Sequence, residues 1–120
     1  MPAGHIMEGE WSLPGRPPIC INISDVIDLI KLRNIKPVTL DIQDLAYKDL
    51  SVIDESSTRY KLANTIFPVI VIKGMVNPYN KKYRLIDGRH RLLKLLNNGN
   101  KTIESYVLVE SDVERFYYYV

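Results

Sequence analysis

The chain has 120 residues, 46% hydrophobic and 25% charged, which suits one globular domain and leaves little room for a second core. No apolar run approaches the ~20 residues that cross a bilayer, and no basic flank with an apolar stretch opens the chain as in a secretory signal; an intracellular, cytoplasmic protein without a membrane partner is expected. The net charge of +2 is unevenly spread: Lys73 to Lys101 carries eight basic residues and one acid, +7 locally against −5 for the remainder, which suits an anionic partner.

Residues 1–18 hold four of the seven prolines and three of the six glycines without an apolar period, and are expected to form an irregular arm pinned, if at all, by Trp11. Met7 is an alternative start that would leave residues 1–6 outside the natural protein. The domain itself is expected over 19–120. Ile19 to Ile23 is a short β-branched run that predicts a strand, and Ser24 is the expected N-cap of a helix to about Asn34, with Asp25 and Asp28 in its first turn. Cys20 is the single cysteine, which excludes an internal disulfide and a thiolate-rich zinc site; between two isoleucines it reads as a buried, inert thiol.

Pro37 ends the helix, and Val38, Leu40 and Ile42 alternate with Thr39, Asp41 and Gln43 as in a half-buried strand. Between Lys48 and Asn64 the periodicity is weak; Asp54 or Ser57 could cap a helix carrying Tyr60, Leu62 and Ala63. Val69 to Lys73 is the core of the most apolar run and predicts a buried strand, Gly74 to Asn80 a turn, and Lys82 to Ile86 the returning strand of a hairpin. Arg89 to Asn98, with leucines at 92, 93, 95 and 96, predicts a helix stopped by Gly99. Thr102 to Val109 reads as another strand, and Ser111-Asp112-Val113-Glu114 as a capping box opening a terminal helix with Phe116 and the tyrosines 117 to 119. Strands and helices in mixed succession predict a small α+β domain, a mixed sheet with packed helices.

The chemistry concentrates at Asp87-Gly88-Arg89-His90-Arg91, where a strand turns into a helix. Free amides and the helix dipole favour a phosphate there, Arg89 and Arg91 add charge-assisted contacts, and His90 donates according to its tautomer. Asp87 reads as an N-cap, with a magnesium ligand or a general base as the sharper alternatives. Lys73, Lys81, Lys82, Arg84 and Lys94 are the candidate contacts to a nucleic-acid backbone. No paired-carboxylate signature is visible, and no metal site is predicted.

The segment Leu85-Ile86-Asp87-Gly88-Arg89-His90-Arg91-Leu92-Leu93-Lys94-Leu95 resembles the core motif of the ParB/sulfiredoxin superfamily, in which a hairpin strand runs into a glycine turn and a helix bearing a basic pair. The preceding Phe67-Pro68-Val69-Ile70-Val71 and the strand at Thr102 to Val109 fit the same order, so the resemblance spans roughly Pro37 to Val109. In that family the turn holds nucleotide phosphates: sulfiredoxins use ATP, partition proteins bind CTP, and an archaeal free-serine kinase uses ADP. The resemblance therefore implies a phosphate role for Gly88, His90 and Arg91, and ATP, ADP or CTP with magnesium as ligand. Arg89 stands where sulfiredoxins have their catalytic cysteine, which argues against that chemistry. The partition proteins' helix-turn-helix reader has no counterpart, and Ser57-Thr58-Arg59 is only a loose substitute for their second phosphate motif.

Three functions follow. The first is a stand-alone ParB-like domain, of the kind found in phages and mobile elements, that binds a nucleotide or a nucleic-acid backbone. The second is a magnesium-dependent nuclease, an NTPase or a small-molecule kinase of the same fold, with Asp87, Asp54 or Glu55 as the acid. The third is an interaction module with an unused pocket, docking a host protein through Phe116 to Tyr119.

Overall fold

The computed structural model describes residues 4–120. In chain order its strands are β1 (Gly4–Met7), β2 (Ile19–Asn22), β3 (Val38–Asp41), β4 (Leu45–Ala46), β5 (Val69–Lys73), β6 (Tyr83–Asp87), β7 (Thr102–Val109) and β8 (Tyr117–Tyr119). The α-helices are α1 (Ile23–Leu32), α2 (Thr58–Lys61), α3 (Arg89–Asn97) and α4 (Glu110–Val113). The α+β class holds, but the strands form two sheets rather than one: an antiparallel β1-β2-β8 sheet and a mixed β3-β7-β5-β6-β4 sheet.

The most apolar run becomes the central strand of the larger sheet because both of its faces are covered. Ile70 and Ile72, with Ile86 and Leu108, pack toward Met7, Ile21 and the inner face of α1, where Ile23, Val26, Leu29 and Ile30 are buried. Val69 and Val71, with Leu85 and Ile103, pack toward Leu92 of α3 and toward Ile42 and Leu45. Each such side chain, taken from water to full burial, contributes roughly 1.5–3 kcal/mol before chain entropy is charged against it. A continuous apolar strand is the pattern of a sheet buried on both sides.

The N-terminal segment departs from the expected irregular arm. Gly4 to Met7 pairs antiparallel with Asn22 to Ile19, with His5 and Met7 facing inward and Gly4 and Ile6 outward. The inward His5 hid the alternation from a hydrophobicity reading. Trp11 does pin the segment: it is buried, its ring lies 5.0 Å from the Arg84 guanidinium and it meets Tyr79 edge to face. A side chain at Gly4 would meet the Cys20 sulfur and lie 2.7 Å from the Tyr118 hydroxyl, so Gly4 is fitted closely to the sheet.

Several boundaries also differ. Asn22, not Ser24, caps α1, its side chain accepting from the Asp25 amide at 3.4 Å. Asn34, in the left-handed region at φ 51°, closes the helix two residues early. β3 is an edge strand with Val38 exposed, so the expected half-buried alternation is muted. Ser57 rather than Asp54 caps α2. The capping carboxylate near the C-terminus is Asp112, which accepts from the Val109 amide at 3.2 Å and opens α4 two residues early. The expected terminal helix gives way to a turn at Glu114–Phe116 and then β8, whose tyrosines pair with Ile19, Cys20 and Ile21. Cys20 is free and buried. Among the described residues no helix is long and apolar enough to cross a membrane.

Candidate functional site

At the end of β6 the chain must reverse into α3 while staying packed on β5. Gly88 makes this turn at φ 108°, and a β-carbon there would lie 2.9 Å from the Val69 β-carbon and 2.9 Å from Arg91 Nη2. Only glycine satisfies both the conformation and the contact. Gly88 is itself the N-cap of α3, and no side chain caps the helix. Asp87 therefore does not take the expected capping role; its Oδ2 accepts from Arg91 Nη2 at 3.0 Å, one helical turn on. The first amides of α3 remain open to a ligand.

These residues face a cleft of about 510 Å³. Asp87, Gly88, Arg89, His90 and Arg91 all line it. Other lining residues come from segments far away in sequence: Gly4, His5 and Ile6 of β1, Ile23 at the start of α1, Lys48 beyond β4, and Arg59 of α2. Arg59 belongs to the loose Ser57-Thr58-Arg59 motif, whereas His5 and Lys48 escaped the sequence reading. Asp87 is the sole carboxylate among the lining residues, facing Lys48, Arg59, Arg89 and Arg91.

The cations are held in different ways. Arg91 is spent partly on the turn itself, since beyond Asp87 it reaches the Pro68 carbonyl at 3.5 Å, and its Nε is enclosed without a partner. Lys48 donates to the Ile6 carbonyl at 2.7 Å, which ties it to β1 and leaves its remaining hydrogens for the cleft. Arg59 and Arg89 make no side-chain hydrogen bond or ion pair with the described residues.

Arg89 acts on three neighbouring groups, Lys48, His90 and His5. Burial, and then Arg84 and Arg89, lowers the Lys48 ammonium from its ordinary value. His90 is lowered by burial and then by Arg59, Arg89 and Arg91, so it is neutral at physiological pH. His5 is held well below its ordinary value by burial, followed by Arg84, Lys48 and Arg89. Crowded cations raise one another's free energy, and an anion between them would relieve the strain.

Of the proposed nucleic-acid contacts, two are corrected. Arg84 is fully buried: Nε donates to His5 Nε2 at 3.2 Å, Nη1 to the Val76 carbonyl at 3.0 Å, and the guanidinium stacks on Trp11. It faces the same side of β6 as Ile86, two residues on, and is a core residue. Lys94 bonds the carbonyls of Lys61 at 2.9 Å and Ala63 at 3.2 Å, capping the end of α2. Lys73, Lys81 and Lys82 are exposed, but at the opposite end of the β5–β6 hairpin from Gly88, where Lys73 pairs with Tyr83.

No protein-family model, curated protein or solved structure matches the chain. The cleft thus stands on its own geometry: a basic, half-enclosed cavity built on an uncapped helix start. Among the described residues no group of three His, Cys, Asp or Glu side chains comes together as a metal site.

Proposed function

We propose that this chain is a ParB/sulfiredoxin-like domain that binds the phosphates of a nucleotide in the cleft at the start of α3. One observation carries the reading: Lys48, Arg59 and Arg89, from three separate segments, line one cleft at the uncapped start of α3, where the sole lining carboxylate is already paired with Arg91. Amides and cations so arranged recognise phosphate oxygens, and the cavity falls within the roughly 300–1,000 Å³ typical of small-ligand sites.

A nucleotide fits better than an extended nucleic-acid backbone because the basic residues are not continuous over the surface. Four strand residues, about 13 Å of chain, separate the hairpin lysines from the turn, Arg84 is buried between them, and Lys94 is occupied. The hairpin and cleft do not form one track. Catalysis through Asp87 would require releasing it from Arg91, so binding rather than turnover is the function favoured.

Thermal unfolding with ATP, ADP, CTP and GTP, each with and without magnesium, tests this. A ligand at about 100 times its dissociation constant stabilises the fold by about 2.7 kcal/mol. Arg89→Ala and Arg59→Ala, whose side chains hold nothing else in place, are expected to abolish the stabilisation without lowering the ligand-free midpoint. Absence of stabilisation by every nucleotide, or full stabilisation of both variants, overturns the proposal.

A further inference from the structure

His5 is 9% exposed, yet it lines the cleft. Its Nε2 accepts from Arg84 Nε at 3.2 Å. A guanidinium Nε always carries a hydrogen, so Nε2 must be the bare nitrogen and the ring proton must sit on Nδ1. Arg84 cannot turn away to permit the other tautomer: it has no exposure, its Nη1 is bonded to Val76 and its plane rests on Trp11. The imidazole is therefore a fixed, neutral donor. Nδ1 has no hydrogen-bond partner among the described residues and is not one of the fully enclosed polar atoms, and His5 is one of the residues that line the cleft.

The place of this donor sets what it can recognise. Arg84 precedes Asp87 by three residues on β6, so His5, bonded to Arg84, contacts β6 ahead of the turn and not at the helix start itself. Beside His5 the walls are Gly4, Ile6 and Ile23, with Lys48 tied to the Ile6 carbonyl. An uncharged donor is a poor competitor for phosphate when Lys48, Arg59 and Arg89 line the same cleft, but it suits an uncharged acceptor. The geometry points to His5 as a specificity-determining residue whose Nδ1–H binds a carbonyl oxygen, ring nitrogen or sugar oxygen on the organic part of a phosphate ester, such as a nucleoside. This rests on the phosphate-binding reading of the cleft and extends it to the ligand's other end.

Two substitutions separate the two ring nitrogens. Glutamine reaches the Nε2 position, so His5→Gln keeps an acceptor for Arg84 and loses the donor at Nδ1. Asparagine reaches the Nδ1 position, so His5→Asn restores that donor and leaves Arg84 Nε unpaired. Isothermal titration uses ATP, CTP, GTP and UTP as probes of the whole ligand and inorganic tripolyphosphate as a probe of the phosphate end alone. For the nucleotide that wild type binds best, His5→Gln is expected to bind about tenfold more weakly with an unchanged unfolding midpoint. Its tripolyphosphate affinity should change less than twofold. His5→Asn is expected to recover most of the nucleotide affinity with a lowered midpoint. Equal nucleotide binding by wild type and His5→Gln overturns the inference, as does an equal loss for tripolyphosphate, which would put His5 on the phosphates. Failure of wild type to bind any probe overturns the phosphate reading beneath it.

Discussion

Replacing Gly88 with alanine tests how the site is built. At φ 108° an L-residue is strained by about 1–3 kcal/mol, and the added carbon must displace Val69, whose Cγ1 it would overlap, and Arg91 Nη2, 2.9 Å from where it would lie. Overpacking of this kind costs about 1–3 kcal/mol more, giving a total near 2–6 kcal/mol. Gly74 and Gly99 provide the control, because their φ values of 77° and 82° are also positive while nothing lies within 4 Å of an added carbon. Alanine there should cost only the conformational part, about 1–2 kcal/mol. Urea denaturation of the three variants, with slopes compared to confirm an unchanged unfolding surface, gives the difference directly. A Gly88→Ala variant no less stable than Gly99→Ala would refute the close packing of turn on β5, and with it the positioning of Arg89 and His90.

The buried imidazole makes stability depend on pH. His5 is held well below its ordinary 6.5 by burial and by Arg84, Lys48 and Arg89, so below pH 6.5 the unfolded chain takes up a proton that the folded one refuses. Stability is then complete above that pH and falls as the solution is acidified, by up to about 1.4 kcal/mol per unit. Denaturation midpoints from pH 7.5 to 5 should show this slope, flattened in His5→Gln; a slope unchanged by the substitution contradicts it. Lys94→Met should free the end of α2, costing about 1 kcal/mol, and loosen Arg59; faster amide exchange over residues 58–64 and a severalfold weaker nucleotide affinity are expected, and unchanged exchange there would refute the role.

What could be read from the sequence follows from where the information is local. β5, β6, β7 and α3 carry strong periodicity over many residues and appear close to their expected bounds. β1 and β8 are short edge strands whose pairing is decided by β2 between them, and their own residues, a histidine in one and three tyrosines in the other, gave no apolar alternation. The glycine turn was legible because its chemistry is contiguous from Asp87 to Arg91. His5 and Lys48 reach the cleft only through the tertiary fold, and nothing in their neighbourhoods marks them. Arg84 is a different case: its two-residue spacing from Ile86 already put it on a buried face, and the basic character of its surroundings hid that signal. Asp87 had the right residue type for a cap, but Arg91 one turn along competes for it and wins.

Chemical-shift titration of nitrogen-15-labelled protein with ATP and CTP observes the helix start most directly. Phosphates bound there shift the amides of Gly88, Arg89, His90 and Arg91 saturably, together with those around Lys48 and Arg59, while Lys81 and Lys82 at the far end of the hairpin stay in place. Shifts confined to the hairpin, or no saturable change at residues 88–91 with millimolar nucleotide and the fold intact, would contradict a phosphate site in this cleft.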